Sequence, residues 1–250
     1  MQHFKDSVVV ISGASSGIGL ATGTAFIEEG AHVYNLDLVN SPEAHKFEYI
    51  STDITNGDSV NSAISQIGND RGRIDILINN AGISFVGTVE ETKEEDWKRV
   101  FDVNVFGLAR LSAASLPWLR KSSVANIVNL CSVGALNGLP QRVLYDATKG
   151  AILSMTFAMA TDHVREGIRV NCVSPGTVQT AFVDKMILKF QDPEKERAAL
   201  DARQATGRMV TPEEVAGAIL YLADPRSAST TGITLEVDGG MHNLRMRPIQ

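Results

Sequence analysis

Apolar and polar residues follow two periods along this chain, and the switch between them recurs from one end to the other. Ser7–Ser12 is a continuous β-branched run stopped by a glycine and reads as a buried strand. A glycine turn and an amphipathic stretch to Glu29 follow it. Ala31–Leu36 and Phe47–Ser51 read as the second and third strands, and Ile74–Ile78 as the fourth. Between the last two, Val60, Ile64 and Ile67 recur at helical spacing, predicting a helix over Asn56–Asp70. A long helical region covers about Lys93–Lys121, and Val124–Leu130 is a fifth strand. A helix from about Arg142 to Arg165 then leads to a sixth strand at Ile168–Val173. Thr211-Pro212-Glu213-Glu214 offers an N-cap, a proline at the first helical position and a glutamate at the third, so a helix is predicted over Thr211–Ala223. Gly232–Val237 closes as a seventh strand. Short apolar strands alternating with helices, without repeats or linkers, predict an α/β fold. It would be one doubly wound domain over residues 1–250, a seven-stranded parallel sheet with helices on both faces.

Composition narrows the class of partner. Hydrophobic residues make up 44% of the 250 and charged residues 21%, a mix that buries a full core without metals or disulfides. A formal net charge of −6 and a pI of about 5.4 argue against nucleic acid or an anionic membrane as the main partner. The apolar run before Ser12-Gly13 is too short for a signal peptide or a membrane span, so a cytoplasmic location is expected. Cys131 and Cys172 each sit in an apolar strand pattern, with no CxxC or Cys/His cluster nearby. They read as reduced, buried thiols, and no metal site is expected.

Candidate chemistry gathers at two places. Tyr145 and Lys149 are four residues apart, so on a helix both project from one face, and Ser132 lies thirteen residues before the tyrosine. A cation beside a phenol favours its ionised form, and a serine hydroxyl can orient a substrate oxygen toward it. That equipment moves a proton on and off an alcohol; with no nucleophile–base pair in evidence, it implies an oxidoreductase. The second place is Ser12-Gly13-Ala14-Ser15-Ser16-Gly17-Ile18-Gly19, directly after the first strand and opening the first helix. Glycines there permit a tight turn close to phosphate, and the helix start supplies free N–H groups. A plain structural turn is the competing reading, but the strand before, the helix after and Asp37 at the end of the second strand favour a nucleotide. Asp37 would accept from ribose hydroxyls and repel a 2′-phosphate, and neither Ser16 nor Leu38 brings a positive charge, so NAD is expected over NADP. Asp53 either reaches adenine or caps a turn. Asn79-Asn80-Ala81-Gly82 either lets backbone lie against the nucleotide or is ordinary turn chemistry.

Over nearly its whole length the chain resembles the short-chain dehydrogenase/reductases, with a Rossmann-like fold. The glycine motif, Asn79-Asn80-Ala81-Gly82, Ser132, Tyr145-x-x-x-Lys149 and Pro175-Gly176 stand in family order, and Ser12 replaces a usual threonine while keeping the hydroxyl. The resemblance implies Tyr145 as general acid/base, with Lys149 promoting its ionisation and holding the nicotinamide ribose. It implies Ser132 as the binder of the substrate oxygen and Asn104 as the anchor of a proton-relaying water. Gly13, Ser15, Ser16, Gly17, Ile18 and Gly19 would take the phosphates, while Asn80, Ala81 and Gly82 would lie along the adenosine ribose. Asp53 would bind adenine with Ile54 as neighbour, and Val178 and Thr180, after Pro175-Gly176, would contact the carboxamide. Residues 176–209, with Phe182, Met186, Ile187, Leu188 and Phe190, are similar to the family's substrate-covering lid.

Arg142 precedes Tyr145 by about one helical turn, and Arg203 and Gln204 follow the lid. An arginine fork matches a carboxylate, so these three are expected to hold a substrate carboxylate, against the alternative of surface arginines paired with acids. Arg142-x-x-Tyr145-x-x-x-Lys149 with Ala202-Arg203-Gln204-x-Thr206-Gly207-Arg208 resembles the cytosolic 3-hydroxybutyrate dehydrogenases and the dehydrogenases of sugar-derived acids such as 2-keto-3-deoxy-L-fuconate. The expectation is therefore NAD-dependent interconversion of an alcohol and a ketone on a small hydroxy acid. A 3-oxoacyl-carrier-protein-type reductase and a catalytically silent nucleotide-sensing scaffold are the competitors. Family members are commonly tetramers. Small residues at Ala147, Gly150, Ala151 and Ser154 suit close helix packing in a homotetramer, and the tail Met241–Gln250 either crosses to a neighbour or frays.

Overall fold

The computed structural model describes residues 3–188 and 190–247, and the side chain of Phe182 also lies outside that description. Seven strands form one parallel sheet: β1 (Val8–Ser12), β2 (His32–Asp37), β3 (Glu48–Ser51), β4 (Ile76–Asn79), β5 (Asn126–Leu130), β6 (Arg169–Pro175) and β7 (Thr234–Val237). Their spatial order is β3-β2-β1-β4-β5-β6-β7. Val9 of β1 stands opposite Val33 of β2 on one side and Ile76 of β4 on the other. Strands buried on both faces have no polar face to keep wet, which is why they read as unbroken apolar runs.

Successive side chains on a strand point to opposite faces, and the core divides accordingly. Val9 and Ile11 pack with Phe26 of α1 (Gly17–Glu28) and with Val215, Ile219 and Leu222 of α8 (Pro212–Ala223). Val8 and Val10 pack with Val60, Ile64 and Ile67 of α2 (Gly57–Arg71) and with Leu111 and Leu119 of α4 (Gly107–Leu119). Each fully buried Ile or Leu contributes roughly 1.5–3 kcal/mol. The expected cap at Thr211 is present and forms a reciprocal box: Thr211 Oγ1 accepts from Glu214 N at 3.3 Å, and Glu214 Oε2 accepts from Thr211 N at 2.8 Å.

Most element ends shift by one or two residues from the expectation, and three segments show why or carry more detail. The fourth strand begins at Ile76, because the Asp75 carboxylate turns inward to accept from Val8 N at 2.8 Å and Ser122 Oγ at 2.5 Å. The single helix expected near 93–121 is divided into α3 (Glu94–Phe101), a π-helical segment Asp102–Phe106, and α4. Asn104 sits in that widened turn, an insertion that hydrophobic periodicity does not register. The lid region folds as α6 (Ala181–Ile187) and α7 (Pro193–Asp201), which share a small core of Ile187, Leu200 and Met209.

The remaining long helix, α5 (Val143–His163), lies against β6. Crossovers reverse direction between β1 and β4, which opens a crevice beyond the carboxyl ends of the strands. Most residues singled out from the sequence as carrying chemistry lie at the carboxyl ends of the strands or in the segments that follow them. Among the described residues no helix is long and apolar enough to cross a membrane, and no cluster of His, Cys, Asp and Glu could hold a metal ion. Both cysteines are buried and free.

Candidate active site

The nucleotide side is built chiefly from backbone. Gly13 has φ of +71°, in the left-handed region, and a Cβ there would stand 3.1 Å from the Ala81 Cα. At Gly19 a Cβ would collide with the Gly13 carbonyl oxygen, so the loop closes this tightly only with glycine. Asn80 locks it to the end of β4, its Nδ2 donating to Ser12 O at 2.9 Å and Gly13 O at 3.0 Å. Ser12 Oγ accepts from both Asn80 N and Ala81 N at 3.1 Å, so the hydroxyl kept at this position has a specific task. Ser15 is tied down as well, donating through Oγ to Val39 O at 2.6 Å and accepting from Asn35 Nδ2 at 2.9 Å. Ser16, at the N-cap of α1, is exposed and uses no side-chain cap, which leaves the first N–H groups open toward the crevice.

Asp37 accepts from Ser15 N at 3.2 Å and Leu38 N at 2.8 Å, one on each oxygen, and keeps lone pairs for further donors. Asp53 spends Oδ1 on the hydroxyl and N–H of Thr55, at 2.7 and 2.9 Å, and these bonds hold its carboxyl below the usual range. Both sequence readings of Asp53 therefore have a physical basis: one oxygen caps a turn and the other is unspent. The Ile54 side chain is buried beneath the surface, where it would meet any Cβ placed on Gly107. Only its backbone can face a ligand. An open helix start, a cradle that admits no Cβ and an acid at the end of β2 fit a dinucleotide.

The reactive side lies on α5 and the end of β5. Lys149 is buried and anchored at one point: its Nζ donates to Leu130 O at 2.7 Å and stands 5.6 Å from the centre of the Tyr145 ring. A buried ammonium without such partners would cost several kcal/mol. Ser132, the residue after Cys131 at the β5 exit, accepts from Gly134 N at 3.1 Å through Oγ, which caps a short 3₁₀ turn (Val133–Ala135) and fixes the rotamer. Asn104 Oδ1 accepts from Ile83 N at 2.8 Å, while Nδ2 donates to Ile83 O at 2.9 Å and Thr148 Oγ1 at 3.1 Å. That side chain is fully engaged, so a water at this position would be held through main-chain atoms of the π-helical turn. Thr148, which sequence reasoning passed over, joins Asn104 to the Tyr145 carbonyl at 2.7 Å. Gly82 brings backbone close to this group; a Cβ there would lie 3.2 Å from Asn104 Oδ1.

Above the crevice Pro175 ends β6, and Gly176 packs against the backbone of Asp238. Val178 is buried in the core, while Gln179 N donates to Val210 O at 2.8 Å to close the base of the lid. Thr180 caps α6, and its methyl group faces Gly17. Gln204 departs from its expected place: it is 2% exposed, with Nε2 donating to Leu200 O at 2.8 Å and Oε1 accepting from Thr177 N at 3.3 Å. Both ends of its amide are spent on backbone, so it fastens the lid instead of meeting a substrate. Arg142 donates through Nη1 to Phe85 O at 3.2 Å. Burial, and next the charge of Arg203, push its guanidinium below its ordinary pKa, which places the two cations near one another. Neither pairs with a described acid, whereas Arg197 and Arg208 in the same region pair with Asp184 and Glu214.

With this geometry in view, likeness to known proteins becomes specific. Residues 13–242 match the family model described as enoyl-(acyl carrier protein) reductase. A dehydrogenase/reductase SDR family member 6 of Xenopus laevis is 36% identical over 246 residues, covering 96% of this chain and 99% of the relative. The chain belongs to the short-chain dehydrogenase/reductase family. As a member it is an oxidoreductase, and the family's cofactors are NAD or NADP. The 3-oxoacyl-[acyl-carrier-protein] reductase FabG of Thermotoga maritima is also 36% identical, over 249 residues, 96% of this chain and 99% of that one. The ligand-free aldohexose dehydrogenase of Thermoplasma acidophilum superposes with a TM-score of 0.94 at 33% identity, covering 100% of this chain and 99% of that structure.

Proposed function

We propose that the protein interconverts a secondary alcohol and a ketone on a small hydroxy acid, using NAD, and that the acid is sugar-derived. The observation that carries the substrate class is the pair Arg142 and Arg203. Arg142, a turn from Tyr145, feels the charge of Arg203 and forms no ion pair with a described acid, and Asp146 and Glu196 offset that repulsion only from a distance, so the pair can take up an added anion. A substrate carboxylate supplies that anion, and Arg142, tethered to Phe85 O, gives it a fixed anchor. The likeness to an aldohexose dehydrogenase supports a polyhydroxylated substrate. Asp37 supports NAD, because its carboxylate offers acceptors to a ribose and repels an added phosphate.

The dinucleotide would lie along Gly13, Ser15–Gly19, Asp37, Asp53 and Asn80–Gly82, with Pro175, Gly176, Val178 and Thr180 at its nicotinamide end, and when bound it supplies the hydride acceptor or donor. Ser132 orients the substrate oxygen. Tyr145 takes or gives the hydroxyl proton, which a positioned general acid/base makes about 10²–10⁴-fold faster. Lys149, fixed by Leu130 O, keeps a positive charge beside that phenol. Asn104 and Thr148 hold the first turns of α5 in place. Residues 176–209 act as a lid that excludes water, with its own small core and an Arg197–Asp184 ion pair joining its helices. Assembly as a cytoplasmic homotetramer completes this reading. Phe106 at the end of the π-helical segment and Phe157 on α5 are exposed and would be covered by a second copy.

A second reading, reduction of a 3-oxoacyl carrier substrate, draws on the Thermotoga relative. It requires NADPH in that role, which Asp37 opposes. Turnover of sugar acids and hydroxybutyrate with NAD and NADP in parallel, followed at the reduced-nicotinamide absorbance, separates the two. On the substrate found, Arg142→Ala should lower kcat/KM about 100-fold for the acid and far less for a neutral analogue, as expected for a charged anchor. Equal losses on both would end the carboxylate assignment.

A further inference from the structure

We propose that Asp146, the residue after Tyr145, is a positioning residue that sets where Ser132 stands relative to the catalytic phenol. Three contacts carry this. Asp146 Oδ2 accepts from Leu139 N at 3.1 Å, reaching from α5 to the far end of the loop that begins at Ser132. Its Oδ1 lies against the near end of that loop, so close to Gly134 that a Cβ there would collide with it. The same Gly134 donates its N–H to Ser132 Oγ at 3.1 Å. One carboxyl is thus wedged between both ends of the loop and is joined by a single peptide to Tyr145.

The rest of the loop has few other supports. Pro140 has no N–H to give, and Gln141 adopts φ of +57°, a left-handed conformation costing roughly 1–2 kcal/mol for a non-glycine residue. Gln141 O accepts from Gly87 N at 2.9 Å, and Asn137 Oδ1 meets His242 Nδ1 at 2.8 Å. Without the wedge, the segment from Ala135 to Gln141 keeps those two contacts, its own turn and the packing of Ala135 on Leu108 and Ile152, all of which leave its far end held only at Gln141. A wedge of this kind has a cost that a spacer would not have. Asp146 Oδ1 is buried without a partner among the described residues. Burial raises the carboxyl's pKa, opposed by the Leu139 N–H and the Arg142 charge. A chain that needed only to fill this space could do so with an apolar residue at no such penalty.

The test uses the full chain. Its kinetic arm rests on the alcohol-oxidation reading above; its exchange arm does not. Asp146→Ala should lower kcat about 10–100-fold, the range expected for a misplaced reacting group, with the Kd for NADH and the KM for NAD unchanged. Asp146→Asn, whose amide oxygen still accepts from Leu139 N, should return within about 3-fold of the parent. Gly134→Ala should reproduce the loss in the parent chain yet add less than about 2-fold once Asp146→Ala has emptied the space, because the two act through one contact. Amide hydrogen exchange over residues 133–141 should quicken in Asp146→Ala and in Gly134→Ala but not in Asp146→Asn. Independent losses from Gly134→Ala and Asp146→Ala would overturn the proposal, as would unchanged exchange, or Asp146→Asn being as poor as Asp146→Ala. A parent chain that turns over no alcohol would count against the proposed function, while the exchange result would still decide the role of Asp146.

Discussion

The two sides of the crevice are held by different kinds of bond. On the nucleotide side, main-chain groups and short side chains at strand ends fix one another: Asn80 to Ser12 and Gly13, Ser15 to Val39, Asp37 to Ser15 and Leu38. On the substrate side, long excursions between elements are pinned at single points, Gln204 to Thr177, Asp146 to Leu139, and His242 to Asn137. Two cations there, Arg142 and Arg203, form no ion pair with a described acid, although Asp146 and Glu196 lend Arg142 some opposite charge. A surface made for one invariant ligand can be built from backbone, which sequence changes hardly alter. A surface made for a particular substrate has to be built from side chains, which vary with the sequence.

Variants that strike one side alone break this comparison most sharply. Tyr145→Phe should abolish turnover, by roughly 10³-fold or more, while leaving the Kd for NADH as it was, measured by nucleotide fluorescence. Lys149→Ala, whose ammonium serves both sides, should lose activity and NADH affinity together. Gly19→Ala should do the converse of Tyr145→Phe. A Cβ forced against the Gly13 carbonyl displaces the loop, weakening NADH about 10–100-fold for a strain of 1–3 kcal/mol, with the fold intact by circular dichroism. Normal NADH affinity in that variant would mean the loop does not cradle the cofactor.

Asp37→Asn sharpens the comparison within the nucleotide side. Removing the charge should narrow the preference for NAD over NADP by roughly 10-fold, since one unfavourable charge interaction is worth about 1.4 kcal/mol. An unchanged ratio of kcat/KM values would take Asp37 out of the selection. The smallest effect belongs to the exit of the lid. Glu214, bonded by Arg208 and by Thr211 N, has its carboxyl lowered to about 2 from an ordinary 4.5. A carboxylate whose folded pKa is depressed stabilises the native state above its unfolded pKa and stops doing so as pH falls through the folded value. The thermal stability gap between the parent and Glu214→Gln should therefore be constant above about pH 5 and close between about 4.5 and 2. Melting curves across that range check it; a gap that persists at pH 2 would show that packing, not charge, is responsible.

Much of the fold was legible because strands buried on both faces leave continuous apolar runs, and the parallel order followed from helices between them. The boundary errors came from residues whose partners are remote in sequence. Asp75 bonds Val8 and Ser122, so it trims a strand that periodicity alone extends by two residues. Asn104 opens a π-helical turn toward Ile83, which a helical wheel cannot register. Around the crevice, the glycine turn between β1 and α1 and the placing of Tyr145 and Lys149 on one helix could be read from local spacing. Gln204 could not: a polar residue beside two arginines suggests a ligand until its amide is found buried and bonded to backbone. Thr148 and Asp146 gave no signal, since each acts through a partner elsewhere in the chain.

The sequence by itself determined the sheet, the glycine turn after its first strand and the shared helix of Tyr145 and Lys149, because periodicity, glycine content and a four-residue helical spacing are properties of neighbours along the chain. Only the tertiary structure decided which polar groups remain available. It spent the side chains of Asn104 and Gln204, hid that of Ile54, wedged Asp146 against Gly134, and left Arg142 and Arg203 unpaired. Availability depends on which hydrogen bonds and counter-charges are already satisfied, and those partners lie in other elements that only folding brings within reach.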